Sequence, residues 1–354
     1  MLIVPAEYRF DAGHLPWGTL LLFLLCTLIF VLYQSDDDAR TEAALSVYSG
    51  QQLPGYEQPL LQSYFEARGI AADAGQFPAA VLDRGFDAWV RDYWMTTPPA
   101  PEWQAARAQF EAARDRISWM RFGLVPADIR PASLLGHMFL HGGFAHLLGN
   151  MVFLLLFGML LERVLGTALF VGTYIVTGLL AAGLFVLVNA SSTVPLIGAS
   201  GAISGLMGAY LGVYGLRRVE FFYTVGFWFG KFTAPAILVF PLWLAKELYG
   251  YFDDGSPVAY MAHAGGLLGG LLLAMLLKKQ AAQVIDVDDE TRRSRKSTHD
   301  RLVRIRQLMT DLHLDEAVRL AEQSIRQSPK ESEYWRVYAE VAGRLALGGE
   351  YHRV

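Results

Sequence analysis

Apolar runs recur six times along this chain, and their spacing sets the architecture before any single residue does. The runs are Trp17–Tyr33, Leu147–Leu161, Ala168–Asn189, Leu196–Leu216, Phe232–Tyr249 and Val258–Leu277. A helix needs about 20 mostly apolar residues, at 1.5 Å each, to cross the hydrocarbon core. Each run therefore predicts a membrane-spanning helix. The second reaches spanning length once it starts near Phe144, and the fifth is the least clean, with Lys231 before it and Lys246–Glu247 near its end. The first run is longer than a secretory signal core, and Gln34-Ser35-Asp36 gives no small-x-small cleavage site, so a retained helix is expected.

Lys and Arg beside the runs orient them, because short basic loops stay in the cytoplasm. Glu162–Arg163 follows the second run and Arg217–Arg218 the fourth; Lys278–Lys279, Arg292, Arg293, Arg295 and Lys296 follow the sixth. On the other side stand Asp36–Asp38, the uncharged turn 190–194 and Asp253–Asp254. Every basic loop falls on one side. The expectation is an all-α, multi-pass protein of a bacterial inner membrane, with both termini cytoplasmic. Residues 1–33 hold the N-terminus and first helix, 34–143 an extended outer loop, 144–280 a core of five helices, and 281–354 a charged cytoplasmic tail.

Composition agrees: 53% of residues are hydrophobic and 18% charged, against about a quarter charged in a soluble domain. The net charge of −4 provides no basic field for nucleic acid, so no such partner is expected. A lone cysteine, Cys26, can form neither an internal disulfide nor a Cys-rich metal site.

Polar groups are expensive in hydrocarbon, so those inside the runs are candidates for chemistry. The fourth run contains Gly198-Ala199-Ser200-Gly201, the sixth Ala262-His263-Ala264-Gly265-Gly266, and the second opens at His146-Leu147-Leu148-Gly149-Asn150. With both termini inside, these three runs all enter from the outer side. Ser200, His263, His146 and Asn150 then share one depth, within about 10 Å of the outer surface. Gly201, Gly205, Gly208 and Gly212 line one face of the fourth helix, and His263, Gly266 and Gly270 one face of the sixth. Two bare faces permit a close crossing that could bring the imidazole to the serine. A serine needs such a base to become a nucleophile. His146 and Asn150, at i and i+4, would then be donors to a developing oxyanion. Singly, each piece also reads as helix packing, a structural hydrogen bonder or an interfacial cap.

These motifs, in this order, resemble the rhomboid family of intramembrane serine proteases. The matching residues are His141, His146 with Asn150, Gly198–Gly201, and Ala262-His263 with Gly266 and Gly270, covering about residues 119–277. The resemblance implies a six-helix bundle with an active site open to the outside through a water-filled cavity. It implies a Ser–His dyad with no third acidic member, in keeping with the absence of Asp from the six runs. Ser200 would be nucleophile and His263 general base and acid, with His146, Asn150 and the Ser200 backbone N–H stabilising the oxyanion; no cofactor or metal is implied. Trp119-Met120-Arg121 is loosely similar to the Trp-Arg pair of the family's first outer loop. Some relatives carry a tyrosine four residues after the nucleophile, where this chain has Ser204. His141 is expected to be structural support, and His14 and His137 interfacial residues.

The expected activity is hydrolysis of transmembrane segments in membrane-protein substrates. A catalytically silent chaperone or sorting factor on the same fold is the alternative. A proton-relaying transporter would show inverted repeats, and the two halves of this chain do not match. In the tail, Leu314-Asp315-Glu316-Ala317, Pro329, Trp335, Tyr338 and Ala339 fall at spacings resembling the tetratricopeptide repeat. A partner-binding module and a plain helical hairpin are both open there.

Overall fold

The chain opens with a short strand, β1 (Leu2–Pro5), followed by α1 (Trp17–Leu28), which continues through a π turn at Ile29–Tyr33. The computed structural model describes residues 2–6, 15–68, 80–96, 100–253 and 259–351. His14, Asp254 and Val258 lie outside the described residues. Two units are distinguishable, Met1–Ala281 and Ala282–Val354.

In the first unit, α2 (Asp37–Gly50), α3 (Leu53–Ala67), α4 (Arg84–Thr96) and α5 (Pro101–Arg114) fold the long loop into a small helical domain. α5 shows why: its buried residues Trp103, Ala106, Arg107, Phe110 and Arg114 fall on one helical stripe. Leu53, Leu61, Phe86 and Phe110 form the centre of its core. The charges on that stripe are paired. Arg107 binds Glu57 at 2.8 Å and also Asp87, Arg114 binds Asp87, and Arg84 lies 3.6 Å from Asp87. Breaking such a buried cluster from one side costs about 3–5 kcal/mol, because it strands the remaining charges.

Two short helices, α6 (Ser118–Phe122) and α7 (Pro131–Gly136), lead to α8 (Phe144–Leu165) and α9 (Thr167–Val188). Two clamps make α1 antiparallel to α8. At one end the Glu162 carboxylate accepts from the Gly18 and Thr19 backbone N–H groups and the Thr19 hydroxyl. At the other, the Gln34 side chain donates to the His141 carbonyl at 3.0 Å and accepts from its N–H at 2.9 Å.

The fourth apolar run is helical only over α10 (Ser200–Tyr214). Leu196 instead bridges Leu124, and Gly198 turns the chain at φ +129°. At 15 residues, α10 is about 22 Å long. It needs no full hydrocarbon span because most of it, including Gly201, Gly205, Leu206, Gly208 and Ala209, is buried in protein.

The fifth run departs from expectation more sharply. Residues 232–235 belong not to a helix but to β3 (Trp228–Pro235), which pairs with β2 (Arg218–Val225) in a hairpin turning at Gly226, φ +59°. β1 adds antiparallel to β2, giving sheet order β1-β2-β3. Aromatic and β-branched residues make up most of β2 and half of β3, and Phe221 stacks on Phe232 across the pair. Helix resumes in α11 (Phe240–Asp253), 14 residues long.

The last core helix is α12 (Tyr260–Thr310). By length and composition, four helical stretches among the described residues can cross a membrane: Trp17–Gly50, Phe144–Leu165, Thr167–Val188 and Tyr260–Asp286. Their outward side chains, such as Leu21, Leu24, Leu187, Leu272 and Met275, are apolar and exposed, as lipid contact requires.

The second unit pairs α13 (Leu314–Gln327) with α14 (Ser332–Tyr351) over a core of Leu302, Ile305, Ala317, Ala321, Tyr334 and Val337. Trp335 is exposed there, its indole N–H donating to the Pro329 carbonyl.

Candidate active site

Three helices begin at the end of the bundle where α1 leads into the long loop. Each contributes a polar side chain from its first two turns. Ser200 is the first residue of α10, His263 lies in the first turn of α12, and His146 and Asn150 lie on the first two turns of α8. The order follows from backbone needs. Non-helical chain at membrane depth is tolerated when buried in protein, and Leu196, Gly198 and Ala199 are buried.

The Ser200 hydroxyl donates to His263 Nε2 at 2.8 Å. On the other side of the ring, Nδ1 lies 2.8 Å from Glu247 Oε2 on α11. An ionised carboxylate only accepts, so Nδ1 carries the imidazole proton and Nε2 is left as acceptor for the serine. Lys246 Nζ holds the second Glu247 oxygen at 3.0 Å.

His146 faces the same spot. Its Nδ1 accepts from the Gly142 N–H at 3.3 Å, which leaves Nε2 as the protonated nitrogen. That edge of the ring lies against Gly198, where any side chain would meet Nε2 at 2.9 Å. The left-handed φ and this close approach both require glycine. One turn on, Asn150 is buried, and its amide nitrogen has no partner among the described residues. The Ser200 N–H sits at the open N-terminus of α10, where helix N–H groups have no intrahelical acceptor and the dipole favours negative charge. The arrangement can take a proton from a hydroxyl and stabilise an oxyanion.

Residues 130–280 match the Rhomboid domain. This segment is a rhomboid domain. The chain is 32% identical over 146 residues to RHOMBOID-like protein 5 of Arabidopsis thaliana, covering 41% of this chain and 43% of that protein. It is 37% identical over 148 residues to "Putative rhomboid protease YdcA" of Bacillus subtilis (strain 168), covering 40% of this chain and 65% of that one. The match spans less than two thirds of either relative. Ser200, His263, Glu247, His146 and Asn150 all lie inside the rhomboid domain; the helical loop domain and the tail unit lie outside it.

Within the rhomboid domain the glycines let helix backbones touch. A side chain at Gly266 would collide with the Gly201 carbonyl, one at Gly270 with that of Gly205, and one at Gly205 with Thr177. Gly201 packs against Ala181, at 2.8 Å from where its side chain would begin.

Two other histidines lie near the site. His141 is buried beside His146, ring centroids 5.3 Å apart. His137 is also buried. Its carbonyl accepts the Gly198 N–H at 2.8 Å and so braces the turn before the serine. Glu247 corrects the sequence reading most: an acidic side chain does reach the histidine. The signal was present, since Trp243, Glu247 and Gly250 fall at i, i+4 and i+7 on one helical face.

Proposed function

We propose that this rhomboid-domain protein is an intramembrane serine endopeptidase that cleaves transmembrane segments of membrane-protein substrates. The observation that carries the reading is the 2.8 Å hydrogen bond from Ser200 to His263 Nε2 at a helix N-terminus. His263 takes the Ser200 proton as Oγ bonds to the scissile carbonyl carbon. The resulting oxyanion is held by the Ser200 N–H, His146 Nε2–H and the Asn150 amide. His263 then gives its proton to the leaving amine, and the acyl-enzyme forms as the C–N bond breaks. Water, deprotonated by His263, hydrolyses the ester and restores the serine.

In this reading both termini are cytoplasmic, the site opens to the outer side of a bacterial inner membrane, and the bilayer delivers the substrate. A regular helix hides its carbonyls in i→i−4 bonds, so substrates must unwind before attack. Preferred substrates therefore carry Gly or Pro in the outer part of their span, each Gly weakening helix by about 1 kcal/mol relative to Ala.

Purified protein incubated with a model transmembrane substrate, beside Ser200→Ala, tests this. Cleavage in the outer part of the span, lost in Ser200→Ala, is expected. Absence of cleavage by the wild type would favour a silent helix-binding role, and cuts at the cytoplasmic end would contradict the assigned orientation.

A further inference from the structure

The His263 imidazole is held by two hydrogen bonds from opposite sides. One comes from the group it would deprotonate. The other, to Glu247 Oε2, involves nothing in the reaction described above. We infer that Glu247 is a positioning residue for the base, fixing the tautomer and the ring plane of His263; this rests on the protease reading.

The geometry bears directly on which nitrogen can act. A neutral imidazole exchanges between two tautomers, and only the one protonated at Nδ1 can accept the serine proton at Nε2. A carboxylate 2.8 Å from Nδ1 selects that tautomer. It also faces the positive charge that His263 acquires when the serine proton arrives, and it need not itself be protonated at any step.

Glu247 is placed well for this. Its carboxylate is shared, Oε1 to Lys246 Nζ and Oε2 to His263, so neither oxygen is free to rotate away without loss. Its helix is anchored on both sides of it. One turn before, the buried Trp243 ring meets Phe157 of α8 edge-on at 5.5 Å. One turn after, Gly250 packs against the Tyr260 ring at the start of α12, with no room for a side chain. Glu247 is itself nearly buried, 9% exposed, so the contact is poorly screened by solvent.

The arrangement makes a distinctive prediction for an isosteric change. In Glu247→Gln the Lys246 ammonium keeps the amide oxygen, which turns the amide NH₂ toward Nδ1. Two donors then face each other unless the histidine proton moves to Nε2, the nitrogen that must stay bare. Glu247→Gln is therefore expected to be at least as damaging as Glu247→Leu, although it preserves shape.

The test uses the full-length protein in detergent with a transmembrane substrate, with ¹⁵N-histidine NMR on the same samples. Glu247→Gln and Glu247→Leu should each lower kcat by about 10²-fold or more, the scale of general acid–base catalysis, with KM unchanged. The His263 ¹⁵N shifts should report Nδ1 protonation in the wild type and Nε2 protonation in Glu247→Gln. Wild-type kcat in both variants, or a loss of activity with the tautomer unmoved and thermal stability reduced, would overturn the inference. Ser200→Ala, run alongside, separates the two readings. If it still cleaves, or if the wild type never does, the protease reading fails while the NMR comparison still decides whether Glu247 sets the tautomer.

Discussion

The Gly18 backbone N–H donates to Glu162 Oε1 at 2.7 Å across 144 residues of sequence. The same carboxylate accepts from the Thr19 N–H, the Thr19 hydroxyl and the Thr167 hydroxyl, so one buried side chain caps α1 and ties it to α8 and α9. A carboxylate at a helix N-terminus satisfies orphan donors and complements the dipole. Glu162→Ala would leave buried donors unpaired at about 1–3 kcal/mol each. A clear drop in thermal midpoint in detergent is expected; an unchanged midpoint would mean the cap contributes nothing.

Loss of either proposed oxyanion donor should slow the chemistry without unfolding the protein. His146→Ala and Asn150→Ala are each expected to reduce kcat by about 10²–10³-fold. Cleavage kinetics beside a thermal melt check this. Wild-type rates in both would reduce these residues to structural polar groups.

Acid should weaken the fold through the histidines that precede α8. Burial lowers the pKa of His137; burial, followed by the neighbouring His146 ring, lowers that of His141 to about 4 from 6.5. The unfolded chain thus binds protons at these positions before the folded one does. Their contribution is fully present above about pH 6.5 and is lost as pH falls toward about 4, up to about 3 kcal/mol from His141 alone. Thermal melts at stepped pH should show the decline, and His141→Phe should flatten it. An identical slope in the variant would remove His141 from the account.

Much of this was legible in the sequence, for physical reasons. Ser200, His146 and His263 stand out because hydrocarbon penalises polar groups, and the glycines of α10 and α12 keep helical spacing because backbones must meet there. The hairpin was hidden because Phe232 and its neighbours are as apolar as a span, and hydropathy does not separate a short strand from a helix. Helix α10 starts four residues later than its apolar run because Gly198 breaks the helix to present the serine. Glu247 was missed because Lys246–Glu247 reads as a charged flank of a span. Nothing local says that the carboxylate turns inward while its lysine neighbour turns out, since that depends on Trp243 docking against Phe157.

The central claim is that His263 makes Ser200 a nucleophile. The most direct measurement is peptide mapping of the protein after reaction with a fluorophosphonate, which labels an activated serine covalently. The account predicts an adduct on Ser200 in the wild type, none there in Ser200→Ala, and nearly none in His263→Ala. It also predicts that the double variant cleaves substrate no worse than either single one, since the two residues act as a unit. An adduct on another serine, or labelling of Ser200 at the wild-type rate in His263→Ala, would contradict it.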